Sequence, residues 1–270
     1  MFRRVLSFLA VSALLAGGCS KIREEYTLNP DGSGKVAVRR LAPMPMTMAG
    51  APKNLDPEAE ARKVARSMVQ KSRGVDAWKD VTWKVQPDGR ILVTGTAYFS
   101  DLAKLGLKDS GSLRLGKGAD GSMVVELGKT KKPGAGAGAG EEPKKLSGKE
   151  LELAVLREKM KWQQGRGMMV AMLSGMEMTT VLHLPGEPGK LSCFKKTPDG
   201  KALTFTMKGD DFLAVMDELT AKEDFWKKQA GGGRGALDDM EVPEVLEKLF
   251  GSSEPPRVTI AKPGAALFDY

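Results

Sequence analysis

The sequence predicts an α+β fold: an antiparallel β-sheet built from hairpins, with several helices packed against it. Two observations carry that expectation. Segments with two-residue apolar alternation come in pairs closed by Asp-Gly turns, and capped segments of helical periodicity stand between the pairs. A third sets the scale, since the roughly 250 residues beyond the leader suffice for a good core, as one large domain or two small halves.

The first hairpin is EEYTLNPDGSGKVAVRRL, with Tyr26 and Leu28 on one side before the turn and Val36 and Val38 after it. Its Pro-Asp-Gly returns in VQPDGRI and KTPDGKAL, and GADGSMV is a looser copy. Proline presets φ at the first central position, Asp tolerates the second, and Gly accepts the positive φ of a closing bulge. A calcium loop needs more oxygen ligands than Asp31 and Ser33 offer, and Lys35, Arg90 and Lys201 follow where a carboxylate would help. The central Asp also opposes an anion. These copies therefore read as turns.

APMPMTMAGAPKN is a proline-broken loop. LDPEAEARKVARSMVQKSRG then predicts a helix, with Asp56 as N-cap, Pro57 first, and Glu58 and Glu60 complementing the dipole. Ala61, Val64, Ala65, Met68 and Val69 form its buried stripe, and Gly74 is the expected stop. Val81, Trp83 and Val85, then Ile91, Val93, Ala97 and Phe99, predict a second hairpin. SDLAKLGL predicts a short helical turn capped by Ser100 or Asp101, and SLRLGKGADGSMVVELG a third hairpin.

KTKKPGAGAGAGEEPKK has no periodicity and no apolar side chain larger than alanine, so it cannot offset its ordering entropy by burial. The chain accordingly divides into a leader (1–18), a first α+β half (19–128), a Gly/Ala/Lys-rich flexible linker (129–147) and a second α+β half (148–270) packed with the first. In the second half, Ser147 and Glu150 have capping-box spacing and begin a helix reaching about Gln164; Gly165, Gly167 and Gly175 weaken any extension. MTTVLHLPGEPGKLSCFKKTPDGKALTFTMKG reads as two or three strands. DDFLAVMDELTAK is a capped amphipathic helix with Phe212, Val215, Met216 and Leu219 on one face; VPEVLEKLF is a short helix and RVTIAKPGAALFDY a last strand and tail.

The N-terminus, MFRRVLSFLAVSALLAGGCS, places Arg3 and Arg4 before an apolar run from Val5 to Leu15, the length of a signal-peptide core and short for a bilayer span. The run ends in Ala16-Gly17-Gly18-Cys19, which resembles the lipobox of bacterial lipoproteins, with Ala16 where Leu is commonest. The resemblance implies cleavage before Cys19, diacylglycerol on its sulfur and an acylated amine. Residues 1–18 are then a lipoprotein signal peptide, and Cys19 is the lipidation site. Several acyl chains on one residue hold far more firmly than one. By the same resemblance Ser20, rather than Asp, favours the outer membrane if the source is Gram-negative. Loss of Arg3 and Arg4 leaves 40 basic against 34 acidic side chains, a net +6. This modest, scattered excess fits solvated faces, and no nucleic-acid partner is expected.

Other chemistry has little support, and no catalytic residue, cofactor or metal site is expected. Cys193 is the one remaining thiol, which reads as inert. Met44, Met46 and Met48, and Met168, Met169, Met172, Met176 and Met178, are soft ligands suited to copper(I), but the second group lies among Val170, Ala171 and Leu173 as a core segment would. His183, the single imidazole, alternates within an apparent strand. Asp210-Asp211 and Asp238-Asp239 stand where helix starts are expected, so capping explains them. GAGAGAG lacks the Lys-Ser/Thr of a phosphate loop.

YTLNPDGSGKVAV shortly after the cysteine, a helix, and VTWKVQPDGRILVTGTAYFSDLAKL together resemble the LppM-like group of bacterial lipoproteins. Asp31-Gly32-Ser33-Gly34 and Phe99-Ser100-Asp101-Leu102 carry the match over roughly residues 19–105, and Leu184-Pro185-Gly186 is similar to a later turn. The resemblance implies an α+β fold and a non-enzymatic, lipid-interacting role. Members often carry a C-terminal transmembrane helix; this chain ends in AALFDY, so anchoring is expected to rest on Cys19.

The expected function is a lipid-anchored envelope protein whose soluble domain binds a partner protein or an apolar or lipid ligand. The alternatives are an envelope hydrolase with a carboxylate-based site, which needs convergent acids, or an acid with His183, at raised pKa, and a purely structural lipoprotein.

Overall fold

The computed structural model describes residues 20–44, 56–108, 112–118, 120–128, 147–231 and 243–268. Before residue 129 the elements are β1 (Lys21–Leu28), β2 (Gly34–Ala42), α1 (Pro57–Lys71), β3 (Ala77–Val85), β4 (Ile91–Phe99), β5 (Ser112–Lys117) and β6 (Met123–Gly128). After residue 146 come α2 (Gly148–Leu173), β7 (Glu177–His183), β8 (Pro188–Ser192), β9 (Lys195–Lys196) and β10 (Leu203–Lys208). They are followed by α3 (Gly209–Thr220), α4 (Glu223–Gly231), α5 (Pro243–Phe250) and β11 (Arg257–Ile260).

The three expected hairpins form as β1–β2, β3–β4 and β5–β6. They assemble into two sheets, a seven-stranded one ordered β3-β4-β2-β1-β7-β10-β9 and a four-stranded one ordered β5-β6-β11-β8. All neighbours are antiparallel except β1 and β7, which run parallel. Both sheets therefore draw strands from both sides of residues 129–146, and the fold is α+β.

One face of the large sheet is apolar: Tyr26, Leu28, Val36, Val93 and Phe99 are almost completely buried. Leu113, Met123, Val125, Val258 and Ile260 of the small sheet join the same core, together with the stripe Ala61, Val64, Ala65 and Met68 of α1. Helix α1 starts as expected, with Asp56 Oδ1 accepting from the Glu58 N–H at 3.0 Å. It stops at Lys71, before Gly74, where the Ser72 backbone is extended and its hydroxyl donates to the Met68 carbonyl at 2.7 Å.

A second apolar cluster joins the helices to one end of the sheet. Val155, Trp162 and Leu173 of α2 meet Phe212, Met216 and Leu219 of α3, Phe225 and Trp226 of α4, and Val245 of α5. The start of α2 has both hydrogen bonds of the capping box between Ser147 and Glu150. Its end corrects the expectation of a stop near Gln164. The helix continues through Gly165 and Gly167 to Leu173, because Trp162 and Leu173 bury their side chains against the other helices. That burial outweighs about 1 kcal/mol of propensity lost at each glycine. SDLAKLGL makes a single turn at Leu102–Lys104, with Asp101 Oδ1 accepting from the Ala103 N–H at 2.9 Å.

Candidate functional site

All four Asp-Gly segments fold alike. Gly32, Gly89, Gly121 and Gly200 have φ of +92°, +80°, +79° and +69°, and each Asp accepts the N–H two residues on, at 2.9–3.2 Å. Hydrogen bonds from Ser33, Arg90, Ser122 and Thr197 hold Asp31, Asp88, Asp120 and Asp199 below the ordinary aspartate value. Each carboxylate serves its own turn.

The first turn does more than reverse the chain. Asn29 and Ser33 are buried. The Asn29 amide nitrogen donates to the Phe268 carbonyl at 3.2 Å, and its oxygen accepts the Leu267 N–H at 2.9 Å. The Gly32 carbonyl accepts the Leu102 N–H at 3.0 Å. Gly34 lies directly against the Phe99 ring, where no β-carbon would fit. The DGSG turn and the Phe-x-Asp-Leu segment, distant in sequence, thus touch each other, and NPDGSG clamps the tail at 267–268.

His183 has a partner on the open face of the large sheet. Its Nε2 lies 2.9 Å from Glu25 Oε1, and Arg23 donates to the other oxygen at 3.2 Å. The side chains of His183 and Glu25 are 33% and 39% exposed. The His183 hydrogen bond, against some desolvation and with help from Arg23, holds Glu25 below the ordinary glutamate value. A carboxyl acting as a general acid at neutral pH needs the opposite shift.

Glu24 and Arg40 are buried although both are ionisable side chains. They sit on the apolar parity of β1 and β2, where Glu24 falls between Ile22 and Tyr26. The Tyr26 hydroxyl donates to Glu24 Oε2 at 2.9 Å, and Arg40 donates to the Lys108 carbonyl at 3.4 Å. Burial, reinforced by Glu24, pushes the Tyr26 phenol well above its ordinary value. The signal for this polar inclusion was the misplaced charge in each alternating strand.

The methionines divide. Met160 and Met168 face solvent, Met176 is buried, and Met169 and Met178 pack against the helical cluster as core residues. Met44 rests on the main core; Met46 and Met48 lie outside the described residues. Asp210 does not cap its own helix. Its carboxylate accepts the Gly175 N–H at 3.1 Å, so it ties α3 to the end of α2; Asp238 and Asp239 lie outside the described residues. The Cys193 thiol is half-buried and donates to the Glu254 carbonyl at 3.4 Å.

Cys19 and residues 1–18 also lie outside the described residues, as does nearly all of 129–147. Directly after Cys19, the Ser20 carbonyl accepts the Glu177 N–H at 2.9 Å, and β1 begins at Lys21. The end of α2 is there too, since Leu173 precedes β7 by only the turn Ser174–Met176. No described helix is long and apolar enough to cross a membrane.

The sequence assigns no face to Leu153, Leu156 or Met160, and the structure turns them outward on α2. Leu153, Leu156, Met160 and Met168 are 62%, 56%, 51% and 59% exposed. The spacing of 153, 156 and 160 places them on one helical face, and Met168 continues it two turns on. Val155, Trp162 and Leu173 bury the opposite face. An apolar helix face on each side blurs the amphipathic signal, so periodicity alone does not separate the two.

No known protein family matches the chain, and no curated protein sequence is similar to it. Among solved structures, the folded domain of the Mycobacterium tuberculosis LppM protein, determined by NMR, aligns with 72% of this chain and 84% of its own length, at 12% identity and a TM-score of 0.32. At that score the likeness carries no argument.

Proposed function

We propose that this chain is a lipid-anchored protein of the bacterial cell envelope, tethered through Cys19, whose α+β domain has a non-enzymatic, binding role toward a partner protein or an apolar or lipid ligand. The exposed apolar face of α2 carries the binding part of this reading, because four large apolar side chains in one exposed helical row mark a contact surface. The lipobox-like Ala16-Gly17-Gly18-Cys19 supports the tether, and the start of β1 two residues later suits a domain held close to its membrane. Ser20 favours the outer membrane in a Gram-negative cell. A carboxylate-based hydrolase is the less favoured reading, since the acid beside His183 is shifted toward ionisation.

Palmitate labelling in a bacterial host tests the tether. Wild type is expected to carry label in the membrane fraction and Cys19→Ala to carry none. Release of both proteins without label would overturn the reading.

A further inference from the structure

We infer that the outward face of α2 rests on the lipid surface into which the Cys19 acyl chains insert; this builds on the proposed tether. Two observations converge. The face is apolar along Leu153, Leu156, Met160 and Met168, all more than half exposed. The charges on and beside it balance, since Lys149 and Arg157 stand against Glu150 and Glu152, and Lys161 is paired with Glu158. Such an exposed apolar stripe suits a helix lying in the plane of a bilayer interface.

The second observation is position. Ser20 pairs with Glu177, immediately beyond the turn that ends α2. The lipidated residue would therefore sit at the same end of the large sheet as the C-terminus of this helix. A domain held with no spacer loses little further freedom when a neighbouring apolar face meets the same bilayer, so a modest stripe is enough. The helix would lie along the surface, with Trp162 and Leu173 still packed on the helical cluster behind it.

The test uses the mature lipidated protein with Cys193→Ser and a nitroxide at Leu156→Cys, reconstituted into vesicles of phosphatidylglycerol and phosphatidylethanolamine or of phosphatidylcholine. A nitroxide at Lys201→Cys serves as control, since the turn before Leu203 lies at the end of the sheet opposite Lys21. The 156 probe is expected to become several-fold less accessible to an aqueous relaxant and more accessible to oxygen on both vesicle compositions, while the 201 probe stays aqueous. A water-accessible 156 probe on a chain that remains lipidated and vesicle-bound would overturn the docking and leave the tether standing. Failure to lipidate or to float with vesicles would overturn the tether itself. Shielding from both relaxants would also refute lipid docking: spin–spin broadening between probes would then assign the face to a second copy, and its absence to a segment of the same chain.

Discussion

Asp31, Asp88, Asp120 and Asp199 each accept the N–H of the residue two positions on, which stabilises the ionised carboxyl in the folded chain. Lowered folded-state values mean that the unfolded chain binds more protons just below its own carboxyl pKa of about 3.9. The contribution of these turns is therefore complete above that value and fades as pH falls through the lower folded values. Urea midpoints measured from pH 7 to pH 2.5 are expected to drop most steeply below about pH 4, and the drop should shrink in Asp88→Asn. The glycines of two turns separate conformation from packing. Gly89 has φ +80° and open space around it, whereas Gly32 has φ +92° and would bring a β-carbon to 2.7 Å from Leu115. Gly89→Ala is expected to cost about 1 kcal/mol, the left-handed penalty alone, and Gly32→Ala clearly more. Asn29→Ala removes both side-chain bonds to the tail. It is expected to cost about 1–3 kcal/mol and to accelerate hydrogen exchange at Leu267.

Helix α2 marks how far local signals reach. Ser147 and Glu150 announce its start, because a capping box is complete within four residues. Its end was not legible: Gly165 and Gly167 argue for a stop, and the contacts of Trp162 and Leu173 that carry the helix past them come from α3 and α4, remote in sequence. A β-carbon added at either glycine would meet nothing within 4 Å beyond its own helix backbone. Each Gly→Ala change is thus expected to raise stability by about 1 kcal/mol, read from the thermal midpoint. The same helix shows that periodicity identifies apolar stripes without saying which one meets the core. In β1 the reverse holds. Glu24 disrupts the alternation Ile22-Glu24-Tyr26, and the Tyr26 hydroxyl that donates to it was already in the pattern. Gly209, at the start of α3, abuts the Leu173 carbonyl so closely that a β-carbon cannot be accommodated, a constraint that no local sequence rule exposes.

Across the whole molecule, the hairpins were legible because their partners are neighbours in sequence. The pairings that build the two sheets were not. β1 meets β7 in parallel, and β11 lies between β6 and β8, and pairing across such distances leaves no local signature. The long pairings have a functional consequence, because they bring Ser20, the turn after Leu173 and the start of α3 to one end of the large sheet. That end is where a lipid on Cys19 would enter the bilayer. Tether and docking both depend on the chemistry of the mature N-terminus, and trypsin can expose it directly, since Lys21 follows Cys19 by two residues. Mass spectrometry of the protein purified from membranes should find an N-terminal Cys-Ser-Lys peptide carrying diacylglycerol and an amide-linked acyl chain. A peptide that retains residues before Cys19, or an unmodified Cys19, would contradict the account.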